Sequence, residues 1–279
     1  MRITALHVHP IKGCHRIEVP SAVVTPYGFA GDREWQLVAA DGTFVTQRTQ
    51  PRLATVHPAL AEGGVLLQAE GMPELFVERP ARADRSTTTY SGPVQVGDAG
   101  DAAAAWFTRL LGEEVRLVGL APGYVRATGM FATESNLGDV APILVANDAS
   151  HEFLAERAAE PFGIDRWRAN VWISGAEPWV EDTWRRLAIG DVTVTLVVPW
   201  PRCAVPQVDQ DDGSRRREPA VVLKAHRWCS SLPDDASPVE KMMMLNQSLF
   251  GMGGAIEPAG SVVSVGDEVA VVETGPALL

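Results

Sequence analysis

The stretch from Val192 to Cys203 reads VTVTLVVPWPRC, and it sets the interpretation of the second half of the chain. Apolar residues alternate with threonines from Val192 onward, and an alternation with a period of two residues predicts a β-strand. Two prolines then stiffen the backbone before Arg202 and Cys203. The strand therefore leads directly to a cysteine on a short, rigid loop.

Cys203 has two interpretations at this stage. A thiolate is a soft, electron-donating ligand, and one beside an arginine on a stiff loop is a candidate metal ligand or nucleophile. A free cysteine next to Ala204 and Val205 is also often a small buried hydrophobe. The local sequence leaves both interpretations open.

The N-terminal segment predicts the first strand. Arg2 to His9 alternates, which places Thr4, Leu6 and Val8 on one face.

Tight turns separate further short strands in the first third of the chain. Asp41-Gly42 is a strong two-residue hairpin signal, and Gly63-Gly64 marks another turn. The strands predicted around these turns and after them are Trp35–Ala39, Thr43–Thr46, Arg52–Leu60, Val65–Ala69, Phe76–Glu78 and Val94–Val96. Many short strands joined by tight turns are typical of a barrel or sandwich.

A helix interrupts the strands from Asp101 to Leu111. Asp101 is a favourable N-cap, and Gly112 is a natural stop signal. The Pro122-Gly123 turn then opens a less patterned stretch. We place a boundary here, which divides the chain into domains 1–122 and 123–279.

The second domain mixes helix and strand signals. A helix is predicted to begin at Asn147 or Asp148, and the turns at Gly190 and Gly266 each introduce a valine-rich strand. The predicted fold class is mainly β with some α (α+β), an N-terminal β-barrel-like domain followed by a second β-barrel domain.

Composition excludes several function classes. The chain of 279 residues has 24 Lys and Arg against 35 Asp and Glu, a net charge of −11, which argues against a nucleic-acid partner. The three cysteines form no C-x-x-C pair, so neither a disulfide framework nor a zinc knuckle is predicted. Without a signal segment or a long apolar run, we expect a cytoplasmic protein with no membrane partner.

Other motifs have simple structural explanations. Arg215–Arg217 follows the acidic stretch Asp209–Gly213, a pattern that predicts a solvated loop. His7 and His9 share a strand face and could bind a metal together, but they are interpreted as ordinary strand residues. Gly251–Gly254 lacks a P-loop ending and is predicted to be a loop or turn. Neither a G-x-S-x-G elbow nor a Cys/His hydrolase signature occurs.

Five basic side chains are predicted at strand ends or in turns. They are Lys12, Arg33, Arg48, Arg168 and Arg202. Convergence at one barrel mouth would create an anion site, because arginine binds phosphate through two parallel hydrogen bonds and lysine binds it as a point charge. Unrelated surface charges are the alternative.

Eight short motifs follow one another in a fixed order. They are His9–Cys14, Gly31–Trp35, Thr46–Arg48 with Pro51–Ala54, Leu137–Pro142, Arg168–Val171, Glu181–Trp184 before Ile189–Asp191, Arg202–Asp209, and Leu249–Gly251. In this order they resemble the MOSC proteins that carry an N-terminal β-barrel domain, a group that includes the mitochondrial amidoxime-reducing component and its bacterial relatives. No single motif is diagnostic, but together they span almost the whole chain.

The resemblance implies a molybdenum–molybdopterin cofactor whose one protein ligand is a cysteine thiolate. Cys203 matches that cysteine, and a sulfur ligand suits a redox-active metal. The residues that the resemblance assigns to cofactor binding are Lys12, Gly13, Arg33, Arg48, Val140, Ala141, Arg168, Asn170, Pro201, Arg202 and Met252. The scattered cations would thereby share one ligand.

The sequence departs from the amidoxime reducers at several of these positions. The reducers have serine at the positions of Gly13 and Pro201, and serine or threonine near Val140 and Ala141. The corresponding contacts here would come from backbone N–H groups. Near Met252, where the reducers carry a bulky polar or aromatic residue, glycines follow in this chain, and we expect a more open substrate pocket.

The resemblance implies a reductase of N-hydroxylated compounds such as amidoximes, hydroxylamines and N-oxides. Its partners would be this small substrate and a separate electron-donor protein of the ferredoxin, flavodoxin or cytochrome type. Asp209 is a candidate catalytic residue for proton supply or for orienting the loop, with a surface-turn role as the alternative.

Two other functions stay open. One is sulfur transfer, as in MOSC domains attached to cofactor sulfurases, although we see no linked pyridoxal-phosphate desulfurase domain. The other is a carrier of the molybdenum cofactor without reductase activity.

Overall fold

The computed structural model describes residues 1–89, 92–123, 135–139 and 141–277. Strands predominate in this part of the chain, with a small number of short helices. The predicted mainly β fold with some α structure is confirmed. None of the helices within the described ranges is both long enough and apolar enough to cross a membrane.

The strands are numbered in chain order. They are β1 (Arg2–Val8), β2 (Ile17–Glu18), β3 (Ser21–Thr25), β4 (Gly28–Phe29), β5 (Trp35–Val38), β6 (Phe44–Val45), β7 (His57–Ala61), β8 (Gly64–Gln68), β9 (Leu75–Glu78), β10 (Arg85–Thr89), β11 (Gly92–Asp98), β12 (Arg116–Gly119), β13 (Ile143–Asn147), β14 (Val171–Ser174), β15 (Trp184–Ile189), β16 (Val192–Pro201), β17 (Leu249–Glu257), β18 (Val262–Ser264) and β19 (Ala270–Thr274).

The helices are short. The α-helices are α1 (Asp101–Leu111), α2 (Asp148–Ala155), α3 (Ala220–Arg227) and α4 (Pro238–Met244). Single 3-10 turns lie at Pro51–Thr55, Ile164–Trp167, Val180–Thr183 and Val205–Gln207.

The largest sheet joins strands from both ends of the chain. Its spatial order is β19-β15-β16-β17-β13-β14-β1-β2, and β1 pairs with β14 in antiparallel fashion, Leu6 opposite Val171. β3 likewise pairs with β18. Strands from the two sides of the predicted boundary near residue 122 are therefore hydrogen-bonded to each other. The boundary borders residues outside the described ranges, so its position stays a prediction.

The first strand contains a bulge. The register shifts between Ile3 and Ala5, so Ile3, Leu6 and Val8 enter one apolar core while Thr4 is exposed. The prediction that Thr4 shares a face with Leu6 is wrong, because the bulge adds one residue to the period of two.

A second core lies under the N-terminal strands. The sheets β10-β11-β12-β5-β6 and β7-β8-β9 pack with α1 around Trp35, Leu37 and Phe107. The Asp41-Gly42 hairpin joins β5 to β6, and Gly112 ends α1 with a left-handed φ of 71°. Both predictions are confirmed.

Two predictions for local structure are wrong. The segment predicted as a strand from Arg52 begins with a 3-10 turn, and the strand starts only at His57, since Pro51 at the first helical position favours the turn. Gly251–Gly254 is not a loop but part of β17, which is hydrogen-bonded to β13 and β16. A Cβ on Gly254 would lie 2.6 Å from the Thr195 carbonyl oxygen, so glycine permits this close pairing.

Candidate functional site

A pocket takes residues from both halves of the chain. Its lining consists of Lys12, Gly13, Arg33, Thr46, Gln47, Arg48, Gly138, Asp139, Ala141, Ile143, Leu144, Trp167, Arg168, Asn170, Trp200, Pro201, Arg202, Cys203 and Val205. The five basic residues that the sequence left scattered therefore meet in one place.

Cys203 is the exposed cysteine of the three. β16 ends at Pro201 and the 3-10 turn begins at Val205, so Cys203 lies on the short connection at the pocket wall. Cys14 and Cys229 are buried, and burial raises the pKa of the Cys14 thiol to about 12. The interpretation of Cys203 as a buried hydrophobe is wrong, because its side chain faces the pocket.

Arg202 and Arg168 are half-buried in the pocket wall. Burial lowers the pKa of each guanidinium to about 10. Arg202 Nη2 donates to the Trp167 carbonyl at 2.7 Å, while its Nε is buried without a hydrogen-bond partner in the described structure. An unsatisfied buried donor is costly and fits a site that binds an acceptor.

Arg168 is fixed by the backbone around it. Its φ of 55° is left-handed, and its Nη1 donates to the Cys14 carbonyl at 2.7 Å and to Gln210 Oε1 at 3.2 Å. The guanidinium consequently points across the seam between the two halves of the chain.

Arg33 and Asn170 form a second bridge across this seam. Arg33 Nη1 donates to Asn170 Oδ1 at 3.1 Å, and Arg33 Nη2 donates to the Arg168 carbonyl at 3.1 Å. Arg33 also forms an ion pair with Asp32. The Asn170 amide donates to the His7 carbonyl, and its oxygen accepts from the Leu144 N–H. Asn170 thus holds neighbouring strands as well as lining the pocket.

Lys12 is almost buried and paired. Its Nζ lies 2.6 Å from Asp139 Oδ1 and 4.6 Å from the Phe44 ring centroid. Burial raises the pKa of Asp139, but Lys12, Arg48 and Arg33 together lower it below its ordinary value. The carboxylate therefore stays charged and offsets part of the positive charge.

Gly13 lets the backbone turn beside the pocket. Its φ of 90° is left-handed, and its carbonyl accepts from Gln47 Nε2 at 2.7 Å. A side chain here would be strained by the backbone conformation, so glycine suits this turn.

Two predicted site residues lie elsewhere. Met252 is buried in the core beside β1 and does not line the pocket. Its inward direction follows from the alternation of β17, a strand that the sequence had suggested to be a loop. Asp209 forms an ion pair with buried Arg166 at 3.0 Å, and its other oxygen accepts from the Asp211 N–H. This contact supports the loop-orienting role of Asp209.

The remaining predicted residues are easily placed. Ala141 and Pro201 line the pocket, Arg48 lines it with an exposed side chain, and Val140 lies outside the described residues. His7 is buried within β1, as predicted for a strand residue, and His9 is buried directly after the end of that strand.

Several lining residues were not predicted. Thr46, Gln47, Gly138 and Asp139 belong to motifs that carried the resemblance, yet no charge or spacing rule marked them as site residues. Trp167 and Trp200 form apolar walls, and their spacing in sequence gave no signal of this.

The basic side chains and the thiol of the pocket fit an anionic ligand that carries a metal with affinity for sulfur. Five cations surround the pocket, whereas the carboxylates paired with them are Asp139 and Asp32. A soft thiol opens into the same space, and the orphaned Arg202 Nε can donate to an anion. The residues present therefore fit a molybdenum cofactor with a phosphate group.

Two protein-family models match most of this chain. Residues 1–114 match the MOSC N-terminal beta barrel domain, and residues 132–270 match the MOSC domain. The chain belongs to the MOSC family. Both matched domains contribute residues to the pocket.

Relatives of this MOSC protein include reductase components and a sulfurase. Mitochondrial amidoxime reducing component 2 of Bos taurus is 30% identical over 96% of this chain and 82% of its own length. The Rattus norvegicus protein of the same name is 31% identical with the same coverage. Molybdenum cofactor sulfurase of Danio rerio is 30% identical over 81% of this chain but only 30% of its own length. The name of the Danio rerio relative refers to the molybdenum cofactor, and the names of the other two refer to amidoxime reduction.

Proposed function

We propose that this MOSC protein is a molybdenum-cofactor-dependent reductase of N-hydroxylated compounds. The observation that carries the proposal is the exposed Cys203 thiol in a pocket surrounded by basic side chains from both halves of the chain. The similarity to amidoxime-reducing components along most of the chain supports the choice of reaction.

Each part of the pocket has a role in this proposal. Cys203 supplies the one thiolate ligand and tunes the metal. Arg168 and Arg202 hold the phosphate through paired N–H donors, since the guanidinium fork matches phosphate oxygens. Gly13 and Ala141 offer backbone at close range, and Trp200 shields one side from water.

The overall reaction consumes two electrons and two protons. An N-hydroxylated compound R–NH–OH becomes the amine R–NH₂, and the oxygen leaves as water. When bound, the cofactor supplies the two-electron redox chemistry. The chain's own residues orient the cofactor and exclude solvent, while a separate ferredoxin, flavodoxin or cytochrome restores the electrons.

The alternative is sulfur or cofactor transfer without reduction. The similarity to a molybdenum cofactor sulfurase favours it, because an exposed thiol such as Cys203 is also able to carry a persulfide. A transfer protein would bind cofactor or sulfur, but its reduced form would not be reoxidised by an N-hydroxylated compound.

The test compares Cys203→Ala and Cys203→Ser with Cys229→Ala. The wild-type protein, loaded in a host that makes the cofactor, is reduced with dithionite, freed of excess reductant and mixed with benzamidoxime. Reoxidation of the metal with stoichiometric benzamidine supports the reductase.

We expect both Cys203 variants to lose molybdenum and turnover and Cys229→Ala to keep both. Turnover by Cys203→Ala at the wild-type rate contradicts the proposal. Full loading without any reoxidation favours the carrier.

A further inference from the structure

A group of exposed arginines borders the mouth of the pocket. Arg48 lines the pocket, and Arg215 Nη2 donates to the Arg48 carbonyl at 2.6 Å. The backbone of Gly213 packs on that of Arg52, since a Cβ on Gly213 would lie 3.4 Å from the Arg52 Cα. We call Arg48, Arg52 and Arg215 the basic rim.

The charge of the basic rim is only partly compensated, since Arg48 lies close enough to Asp139 to lower the pKa of that carboxyl. All three side chains are exposed, and none of the ion pairs found among the described residues includes them. The acidic residues of the same loop are engaged differently: Asp212 pairs with Arg216 at 3.2 Å, and Asp209 pairs with Arg166.

Acidic side chains also lie near the basic rim, among them Asp211 and Glu113, which accepts a hydrogen bond from Gln50. Asp211 is exposed and lies 4.0 Å from His15. The rim is still a local positive surface on a chain whose net charge is −11.

The loop that carries Arg215 is held in shape. Val208 and Arg215 form an antiparallel bridge, and the Arg216 N–H donates to the Gln207 carbonyl at 2.8 Å. The Asp209 N–H donates to the Ser214 carbonyl at 2.8 Å. A loop with these bonds presents its charges in a fixed direction, which distinguishes it from a merely solvated charge run.

We propose that the basic rim is the docking surface for an acidic electron-donor protein. This inference rests on the proposed reductase function, which needs electrons from outside the chain. The acidic body repels an acidic partner, whereas the rim attracts it, so the encounter is steered to the pocket mouth. A basic partner would be drawn to many acidic surfaces and would gain no orientation from the rim.

The test changes the charge of the rim at Arg52 and Arg215, which are not among the pocket-lining residues. Arg52→Glu/Arg215→Glu is compared with Arg82→Glu/Arg186→Glu, which makes the same change of net charge at two other exposed sites. Arg52→Lys/Arg215→Lys keeps the rim positive. Each cofactor-loaded protein reduces benzamidoxime with one of three reductants: dithionite, a reduced acidic [2Fe–2S] ferredoxin, or a reduced acidic flavodoxin.

We expect the rim reversal to lower kcat/KM for both protein donors by about tenfold or more at low salt, and added salt to reduce this difference. Molybdenum content and dithionite-driven turnover should match wild type. The Arg82/Arg186 control and the lysine variant should retain most of the donor rate.

The outcomes separate this inference from the proposed function. Absence of turnover with dithionite in wild type contradicts the reductase itself. If turnover with dithionite is normal, either of two results overturns the docking surface. Neither acidic donor supports turnover, or both donors reduce the reversed-rim variant as fast as they reduce wild type. A loss of rate that is the same with all three reductants also overturns it, because the rim would then bind substrate or cofactor.

Discussion

Gln47 and Gln210, 163 residues apart, exchange two hydrogen bonds through their buried side-chain amides. Gln47 Nε2 donates to Gln210 Oε1 at 2.9 Å, and Gln210 Nε2 donates back to Gln47 Oε1 at 3.0 Å. Gln47 also donates to the Gly13 carbonyl, and Gln210 Oε1 accepts from Arg168. The pair therefore connects the segments that carry Gly13, Gln47 and Arg168, three residues of the pocket lining.

Breaking this pair should destabilise the protein. Gln210→Leu leaves Gln47 Oε1 buried without its donor, so we expect the free energy of unfolding to fall by about 1–3 kcal/mol. In a double-mutant cycle with Gln47→Leu, urea unfolding should show a coupling of about 0.5–3 kcal/mol. Gln95→Leu, on an exposed strand position, serves as the control. Additive effects would show that the two amides act independently.

The fold was predictable where a local conformation has a local cause. Asp41-Gly42 accommodates the hairpin, and Gly112 accepts the left-handed cap at low cost. The pairing of β1 with β14 has no local cause in the sequence, because any apolar strand could have covered the apolar face of β1. The bulge at Ile3 was hidden for the same reason, because the pairing partner sets the register.

The site was predictable through its charges but not through its neutral groups. Arg168 and Arg202 were singled out because basic side chains at strand ends or in turns of an acidic chain can converge on an anion. The Gln47–Gln210 pair and the Lys12–Asp139 contact depend on distant segments meeting, and no sequence spacing reports that. Met252 was assigned through the resemblance alone, and in the structure its side chain lies in a core cluster and not in the pocket lining.

Asp209 should prove structural. In Asp209→Asn the nearly buried Arg166 loses its carboxylate but keeps its bonds to the Pro206 and Glu218 carbonyls. We expect the free energy of unfolding to fall by about 1–3 kcal/mol while kcat changes little. Asp211→Asn, at an exposed position, is the control. If Asp209 supplies the proton, kcat would instead fall by about 100-fold or more at unchanged molybdenum content.

Acid should lower the free energy of unfolding through His151, which contacts the pocket residue Trp167. The Trp167 indole N–H donates to His151 Nδ1 at 3.0 Å, and burial lowers the pKa of His151 to about 4. In the unfolded chain a histidine binds its proton near pH 6.5, so the unfolded state binds more protons between about pH 6.5 and 4. Stability is therefore lost as pH falls through this window, by at most about 3 kcal/mol for this residue.

The variant His151→Gln removes this titration while keeping an acceptor for the indole. The free energy of unfolding, measured by urea titration from pH 7 to pH 4, should decline less steeply than in wild type. Some decline should persist, because burial lowers the pKa of His7 to about 4 as well. His226→Gln, on the exposed face of α3, should follow the wild-type curve. Identical slopes for His151→Gln and wild type would exclude His151 as a source of acid sensitivity.

Gly253 controls the position of Trp200, and the smallest possible side chain should reveal this. A Cβ on Gly253 would lie 2.5 Å from the Trp200 ring, so Gly253→Ala must push the indole toward the pocket that it lines. Overpacking of this kind costs about 1–3 kcal/mol of the free energy of unfolding. The displaced ring should also lower the molybdenum content of the purified protein.

The control for Gly253→Ala is Gly138→Ala in the same pocket. A Cβ on Gly138 would come no closer than 3.6 Å to its neighbours. The Gly138→Ala variant should therefore fold with nearly native stability. The double variant Gly253→Ala/Trp200→Leu should recover stability relative to the sum of its single changes, because the smaller side chain makes room for the new methyl group. Native stability and full molybdenum content in Gly253→Ala would show that the indole yields freely, and Trp200 would then be a movable wall of the pocket.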